Sequence, residues 1–145
     1  MVESWPALLS LANDVLQSII VIFGVSVVLY NLRHSLRDRV TRAFNALVLF
    51  TVVVFLCELM ATRTTASAAA ERWVRLGWVG IAMVPATQFH LADALLATTG
   101  DVSRRRRLFV RVCYLLGAGF FLLALFSDLL VAQFVAVERA PHMGA

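Results

Sequence analysis

The chain has 145 residues and a net charge of +4, and 61% of its residues are apolar whereas only 15% are charged. An average soluble domain carries about 45–50% apolar and about 25% charged residues. A soluble domain of this length could not cover so much apolar side chain with its own surface. The composition therefore argues against a soluble enzyme, a nucleic-acid-binding domain and a disordered tail, and it indicates an integral membrane protein.

The basic residues are of one type, because all 13 of them are arginines. Most lie in short segments between apolar runs, which is typical of topology determinants and of contacts with lipid headgroups. We expect the lipid bilayer as a partner and no nucleic acid. The two cysteines, Cys57 and Cys113, are expected near opposite faces of the membrane, so we expect neither a disulfide nor a metal site built from them.

Four stretches of the chain are long and apolar enough to cross a bilayer. A transmembrane helix needs about 20 mostly apolar residues, because the hydrocarbon core is about 30 Å thick. The stretches are residues 8–32, 43–61, 73–99 and 112–137. Backbone groups in lipid must pair within their own segment, so each stretch is predicted to be a helix. The predicted fold class is all-α, a membrane helical bundle that forms a single transmembrane domain over residues 1–145.

The distribution of arginines predicts the orientation of the four spans. Nine arginines belong to the first and third loops: Arg33, Arg37, Arg39, Arg42, Arg104, Arg105, Arg106, Arg107 and Arg111. The opposite side carries four, namely Arg63, Arg72, Arg75 and Arg139. The positive-inside rule then places the first and third loops in the cytoplasm and both termini outside. The run from Arg104 to Arg107 is expected to anchor the chain at anionic lipid headgroups.

Ionisable residues within the spans are candidates for function, because each costs roughly 2.5–3.5 kcal/mol on insertion scales. The sequence has five: Asp14, Glu58, His90, Asp93 and Asp128. Asp14, Glu58 and Asp128 fall in the outer half, near the arginines of the second loop. They form a candidate binding site for a small ligand that enters from outside. The alternative is that these acids face headgroup water or pair with those arginines.

The third span carries a second polar feature. His90 and Asp93 are three residues apart, which places them on one helix face. This intramembrane polar pair is interpreted as a hydrogen-bonded pair that fixes helix packing. The alternative is a proton relay, because histidine titrates near neutral pH. Pro85 lies in the middle of the same span and frees a carbonyl one turn earlier, which predicts a helix kink near Ile81.

No arrangement of residues in the sequence indicates catalysis. The chain lacks a nucleophile beside a base, a zinc-spaced cluster and a glycine-rich phosphate loop. We therefore expect neither enzymatic activity from these residues alone nor a cofactor or metal.

Two segments carry a resemblance to a known family. The second span ends in FLCELM at residues 55–60, and the third opens with WVRLG at residues 73–77 and continues to Val84 and Pro85. With the basic first loop and the external N-terminus, these segments resemble the N-terminal seven-helix sensor region of bacterial histidine kinases, a region that also precedes diguanylate cyclase domains. The resemblance covers about residues 33–137.

The resemblance implies a non-catalytic sensor module in the bacterial cytoplasmic membrane, made of the first four of seven helices, for which a homodimer remains open. Two other classes remain open as well. One is a small four-helix transporter in which Asp93 or Glu58 is the coupling acid. The other is a structural or assembly subunit of a larger membrane complex.

Overall fold

A computed structural model describes residues 4–34, 37–100 and 103–126 of the chain. These residues form four α-helices, α1 (Ser4–His34), α2 (Arg39–Arg63), α3 (Ser67–Thr98) and α4 (Arg104–Phe126). Each helix is long and apolar enough to cross a membrane. The predicted all-α class with four spans is therefore confirmed.

The helices extend beyond the apolar runs from which they were predicted. Helix α2 begins at Arg39 rather than at residue 43, and α4 begins at Arg104 rather than at residue 112. A helix continues beyond the hydrocarbon core because its backbone hydrogen bonds form equally well in the polar interface. Hydropathy does not predict these extensions, because the interface does not require apolar residues. The second half of the predicted fourth span, beyond Phe126, lies outside the described residues.

The start of α2 is fixed by a capping residue in the first loop. The carboxylate of Asp38 accepts hydrogen bonds from the Thr41 backbone N–H at 3.2 Å and from the Thr41 hydroxyl at 3.1 Å. These bonds favour the charged carboxylate and hold the pKa of Asp38 below its ordinary value of 3.8. The cap is therefore fully present above that ordinary value and is lost only as the pH falls through the lowered pKa.

The four helices form an open antiparallel row. Helix α1 packs on α2, α2 on α3 and α3 on α4, and within the described residues no other pair of helices is in contact. Within the described residues α1 and α4 do not meet, so this four-helix membrane bundle is open between them. Large apolar side chains on these two helices remain exposed, including Phe23 on α1 and Phe120 on α4. In a bilayer, lipid chains cover such side chains as well as another helix would.

Glycines bring α3 close to both of its neighbours. A Cβ atom added to Gly80 would lie 2.6 Å from the backbone oxygen of Phe50 on α2. A Cβ atom added to Gly117 on α4 would lie 2.7 Å from the backbone oxygen of Ala82 on α3. Close backbone approach at small residues is the usual way in which helices associate in lipid. Helix α3 is therefore the centre of the packing.

Helix α3 runs without interruption through Pro85. The fully buried Thr87 follows it, and its hydroxyl donates to the backbone oxygens of Met83 at 3.2 Å and Val84 at 2.8 Å. These bonds run from the side chain back to the preceding turn of the same helix, whereas the carbonyl that Pro85 leaves without its donor is that of Ile81. The kink predicted near Ile81 stays a prediction.

The close approach at Gly80 gives a stability prediction. Gly80→Ala is expected to destabilise the protein by about 1–3 kcal/mol, because the new methyl group would meet the backbone oxygen of Phe50 as well as the Val54 side chain. Unfolding by sodium dodecyl sulfate in mixed micelles measures the change. Gly119→Ala is the matched control, since no atom lies within 4 Å of a Cβ added there. Equal stability of the two variants would contradict the packing described.

The alternating direction of the helices gives a topology prediction. In a chain without native cysteines, Arg37→Cys and Arg105→Cys are expected to react with a membrane-impermeant maleimide only after cells are permeabilised. Thr65→Cys, between α2 and α3, is expected to react in intact cells, because the arginine-poor side faces outward. The opposite labelling pattern would show that the chain is inserted the other way round.

Candidate functional site

A buried carboxylate joins three of the four helices. Asp93 on α3 is only 5% exposed. Its Oδ2 accepts a hydrogen bond from Nη2 of Arg39 on α2 at 2.5 Å. Its Oδ1 lies 3.7 Å from Nε of Arg106 on α4. One aspartate therefore interacts with a cation on each neighbouring helix, and we call Arg39, Asp93 and Arg106 the charge cluster.

The antiparallel order of the helices produces the charge cluster. Arg39 is the first residue of α2 and Arg106 is the third residue of α4, whereas Asp93 lies in the last two turns of α3. All three residues therefore lie near the side of the membrane that carries the first and third loops, which we call the arginine-rich side. A carboxylate held among packed helices needs cationic partners, because the desolvation of an unpaired charge costs several kcal/mol.

His90 and Asp93 form their hydrogen bonds with different helices. His90 Nδ1 lies 3.2 Å from the hydroxyl of Tyr114 on α4, and the two rings meet edge to face with centroids 5.9 Å apart. Asp93 instead bonds to Arg39 on α2. The two residues do occupy neighbouring positions of one helix, and Asp93 lies within electrostatic range of the His90 ring. The hydrogen bonds of His90 and Asp93 thus connect α3 to α4 and to α2, respectively.

The outer acids occupy separate positions. Oδ2 of Asp14 on α1 lies 3.1 Å from Nη2 of Arg63 on α2, so one of these acids pairs with an arginine of the second loop. Glu58 is exposed on α2 and lies about 140° around the helix from Arg63, away from the face that holds Asp14. Asp128 lies outside the described residues. The outer ligand site of Asp14, Glu58 and Asp128 therefore stays a prediction.

A third arginine joins α3 to α4 near the outer side. Arg75 donates to the carboxylate of Glu71, one turn earlier on α3, with Nη2 and Oε1 2.7 Å apart. Its Nη1 also donates to the backbone oxygen of Leu125 on α4 at 3.1 Å. This contact holds the outer ends of the two helices together.

The arginine run at the start of α4 divides into two groups. Arg104, Arg105 and Arg107 are exposed, as a contact with lipid headgroups requires. Arg106 differs, because its side chain is 29% exposed and extends toward Asp93. The sequence analysis assigned all four to the lipid surface and thereby missed this partner of Asp93, as it also missed Arg39. A comparison of depths could have identified Arg39 and Arg106. When consecutive helices run in opposite directions, each of these arginines lies at about the same depth as Asp93.

Neutral polar residues join α1 to α2. Nδ2 of Asn31 donates to Oδ1 of Asn45 at 2.9 Å, and Asn45 is 7% exposed. Gln17 on α1 is also buried, with 4% of its surface exposed. The sequence analysis considered only ionisable residues in the spans and so did not identify these amides. Interhelical amide bonds are common in membrane bundles and favour specific pairing of helices.

Cys57 on α2 and Cys113 on α4 are both free thiols. Within the described ranges, no group of three or more His, Cys, Asp or Glu residues is arranged to hold a metal ion.

No protein-family model, curated protein or solved structure matches this chain. The four long apolar helices indicate a four-span membrane protein.

The charge cluster gives a prediction for Asp93. Asp93→Ala is expected to destabilise the protein by about 2–3 kcal/mol, because two arginines lose their counter-ion. This loss is at the low end of that expected when a buried ion pair is broken, since the Arg39 side chain is 36% exposed. Unfolding in mixed micelles measures it. Glu58→Ala, which removes an exposed acid, is the matched control and should cost less than about 1 kcal/mol.

The pair of Asp14 and Arg63 is expected to contribute little. Their side chains are 32% and 63% exposed, and exposed ion pairs are worth about 0–1 kcal/mol. Asp14→Asn should therefore change the free energy of unfolding by less than about 1 kcal/mol in the same assay. A loss as large as that of Asp93→Ala would show that the outer pair, not the charge cluster, holds the row together.

Proposed function

We propose that this chain is a membrane-embedded input module of a bacterial signal-transduction protein of the histidine-kinase type, non-catalytic by itself. The observation that carries the proposal is the link that Asp93 makes between α2, α3 and α4. Because one carboxylate serves two arginines, displacement of any of the three helices changes the ion pairs of the other two. An input module needs such an element, whose arrangement a signal can bias.

Helix α3 provides a route from the outer side to the charge cluster. Arg75 ties its outer part to α4, Asp93 ties its inner part to α2 and α4, and Pro85 lies between them. A proline removes one backbone hydrogen bond from the helix interior, which makes that turn the easiest place for the helix to bend. A signal that moves the outer part of α3 would therefore reach Asp93 as a change in direction of its inner part.

The stability of ion pairs also favours a role beyond holding the fold. Replacing a buried ion pair by well-packed apolar residues often leaves the stability of a protein unchanged or increases it. The charge cluster therefore adds little stability beyond what leucines would supply at the same positions. The charges do make the arrangement specific, because only one register brings Asp93 level with both Arg39 and Arg106. A signalling helix requires such a specific arrangement, together with a second arrangement to which it can change.

The segments at residues 55–60 and 73–77 support the same proposal, since they resemble the sensor regions of histidine kinases. From that resemblance we propose the bacterial cytoplasmic membrane as the location and the outer side as the source of the signal. Homodimerisation belongs to the same proposal.

A subunit of a larger membrane complex is the second candidate function. The observation that bears on it is the open row, because within the described residues α1 and α4 each leave an apolar face that a partner helix could cover in place of lipid. A transporter in which Asp93 is the coupling acid is less well supported than one that uses the exposed Glu58. A coupling acid must exchange protons with water, whereas Asp93 is 5% exposed and faces two arginines.

Alleles in the native cell test the sensor proposal. An Asp93→Asn allele is expected to change a defined set of transcripts by at least about threefold, a set that also responds to deletion of the gene, because the charge cluster can no longer hold one arrangement. Arg105→Gln is the matched control, since Arg105 is exposed and lies outside the charge cluster. Transcript profiles measure the response, and immunoblots check that the protein level is unchanged.

Two results would contradict the sensor proposal. Unchanged transcripts in both the deletion and the Asp93→Asn strain, with stoichiometric partners recovered from the membrane, would favour the complex subunit. Proton influx into proteoliposomes that Asp93→Asn abolishes would favour the transporter.

A further inference from the structure

A second layer of polar residues lies one turn deeper than the charge cluster. Because α2 and α3 are antiparallel and Arg39 meets Asp93, the residue three positions later on α2 lies level with the residue three positions earlier on α3. Arg42 is therefore level with His90, and it lies within electrostatic range of the His90 ring. Tyr114 on α4 is at the same level, since its hydroxyl lies 3.2 Å from His90 Nδ1. This layer is about 4.5 Å further from the arginine-rich side than the charge cluster.

Helix α4 adds two more arginines to this region. Arg111 and Arg107 precede Tyr114 by three and seven residues, so all three share one face of α4. Both arginines are exposed, as is Arg42 on α2. The face that α2, α3 and α4 present here thus carries Arg42, His90, Tyr114, Arg107 and Arg111, which together we call the basic cleft.

The basic cleft has an excess of positive charge. Within the described residues, no carboxylate lies at ion-pair distance from Arg42, Arg107 or Arg111. The acid closest in level, Asp93, already has Arg39 and Arg106 as partners. Three guanidinium groups on one face attract an anion, and their planar forks match the oxygens of a phosphate group.

An apolar strip leads from the basic cleft toward the opposite side of the membrane. Leu49 and Leu56 follow Arg42 on α2 at intervals of seven residues, so they lie on the same helix face. Both are exposed, by 48% and 37%. The strip begins at the depth where the arginines end. A molecule with an anionic head group and an apolar tail would therefore contact both the arginines and the strip.

We propose that the basic cleft binds one anionic glycerophospholipid. Its phosphate lies against Arg42, Arg107 and Arg111, and an acyl chain lies along Leu49 and Leu56. The hydrogen-bonded pair of His90 and Tyr114 lies at the end of this face that is further from the arginine-rich side. This site is distinct from general attraction to a charged bilayer, because it needs arginines from two helices on one face of the row. It also stands independently of the sensor proposal.

Native mass spectrometry of the full chain tests the site. The chain is purified in detergent, and retained phosphatidylglycerol is compared with retained phosphatidylcholine. Unsubstituted protein is expected to retain one phosphatidylglycerol per chain. Arg42→Gln combined with Arg111→Gln is expected to weaken this retention about 30-fold, since an arginine near a lipid phosphate contributes roughly fivefold to affinity.

The matched control removes the same charge from the same side of the membrane. It combines Arg37→Gln in the first loop with Arg105→Gln, which lies half a turn around α4 from Tyr114. This control should retain phosphatidylglycerol within about twofold of the unsubstituted protein, because neither residue belongs to the cleft. Arg42→Lys with Arg111→Lys keeps the charge and should weaken retention by an intermediate factor, because lysine lacks the planar fork.

Three results would overturn the proposal. Equal loss in the cleft variant and in the control would show diffuse attraction only. Equal retention of phosphatidylcholine would show that no anion is selected. Displacement of the lipid by inorganic phosphate, with phosphate binding lost in the same cleft variant, would assign the cleft to a soluble phosphate rather than to a lipid.

Discussion

The arrangement of this protein depends on the ion pairs that Asp93 makes with Arg39 and Arg106. Apolar helices in lipid gain little from burying their side chains against one another, because lipid chains are equally apolar. Relative position must come from polar contacts and from close approach of backbones. Asp93 supplies the strongest polar contact of the described residues, and it does so on the central helix of the row, where it acts on two neighbours at once.

The interfaces between neighbouring helices combine polar contacts between side chains with apolar packing or with close approach of the two backbones. The amides of Asn31 and Asn45 join α1 to α2, and Arg75 joins α3 to α4 at the outer side. Gly80 and Gly117 bring α3 against both neighbours on its way through the membrane. Because the ties on the arginine-rich side share one carboxylate, α2, α3 and α4 are coupled there, whereas in the described part of the chain α1 contacts the row through α2 alone.

The sequence predicts the four spans because hydrocarbon thickness demands about 20 apolar residues in a helix, and this demand is local. It also identifies Asp93 as unusual, since an acid in a span is costly. It does not predict the partners of Asp93, because Arg39 and Arg106 are 54 and 13 residues away and meet it only through the register of three helices. The same limit applies to His90, whose partner Tyr114 lies on another helix. Hydropathy likewise missed the helix ends, where charged residues continue the helix into the interface.

The most direct test of this account is the distance between α2 and α4 on the arginine-rich side. Spin labels at Arg37→Cys and Arg105→Cys, in a chain without native cysteines, report that distance by pulsed electron paramagnetic resonance. We predict one narrow distribution for the otherwise unsubstituted chain, a broader or shifted one for Asp93→Asn and no change for Asp14→Asn. If Asp93→Asn leaves the distribution as narrow and at the same distance, the charge cluster does not hold these helices together.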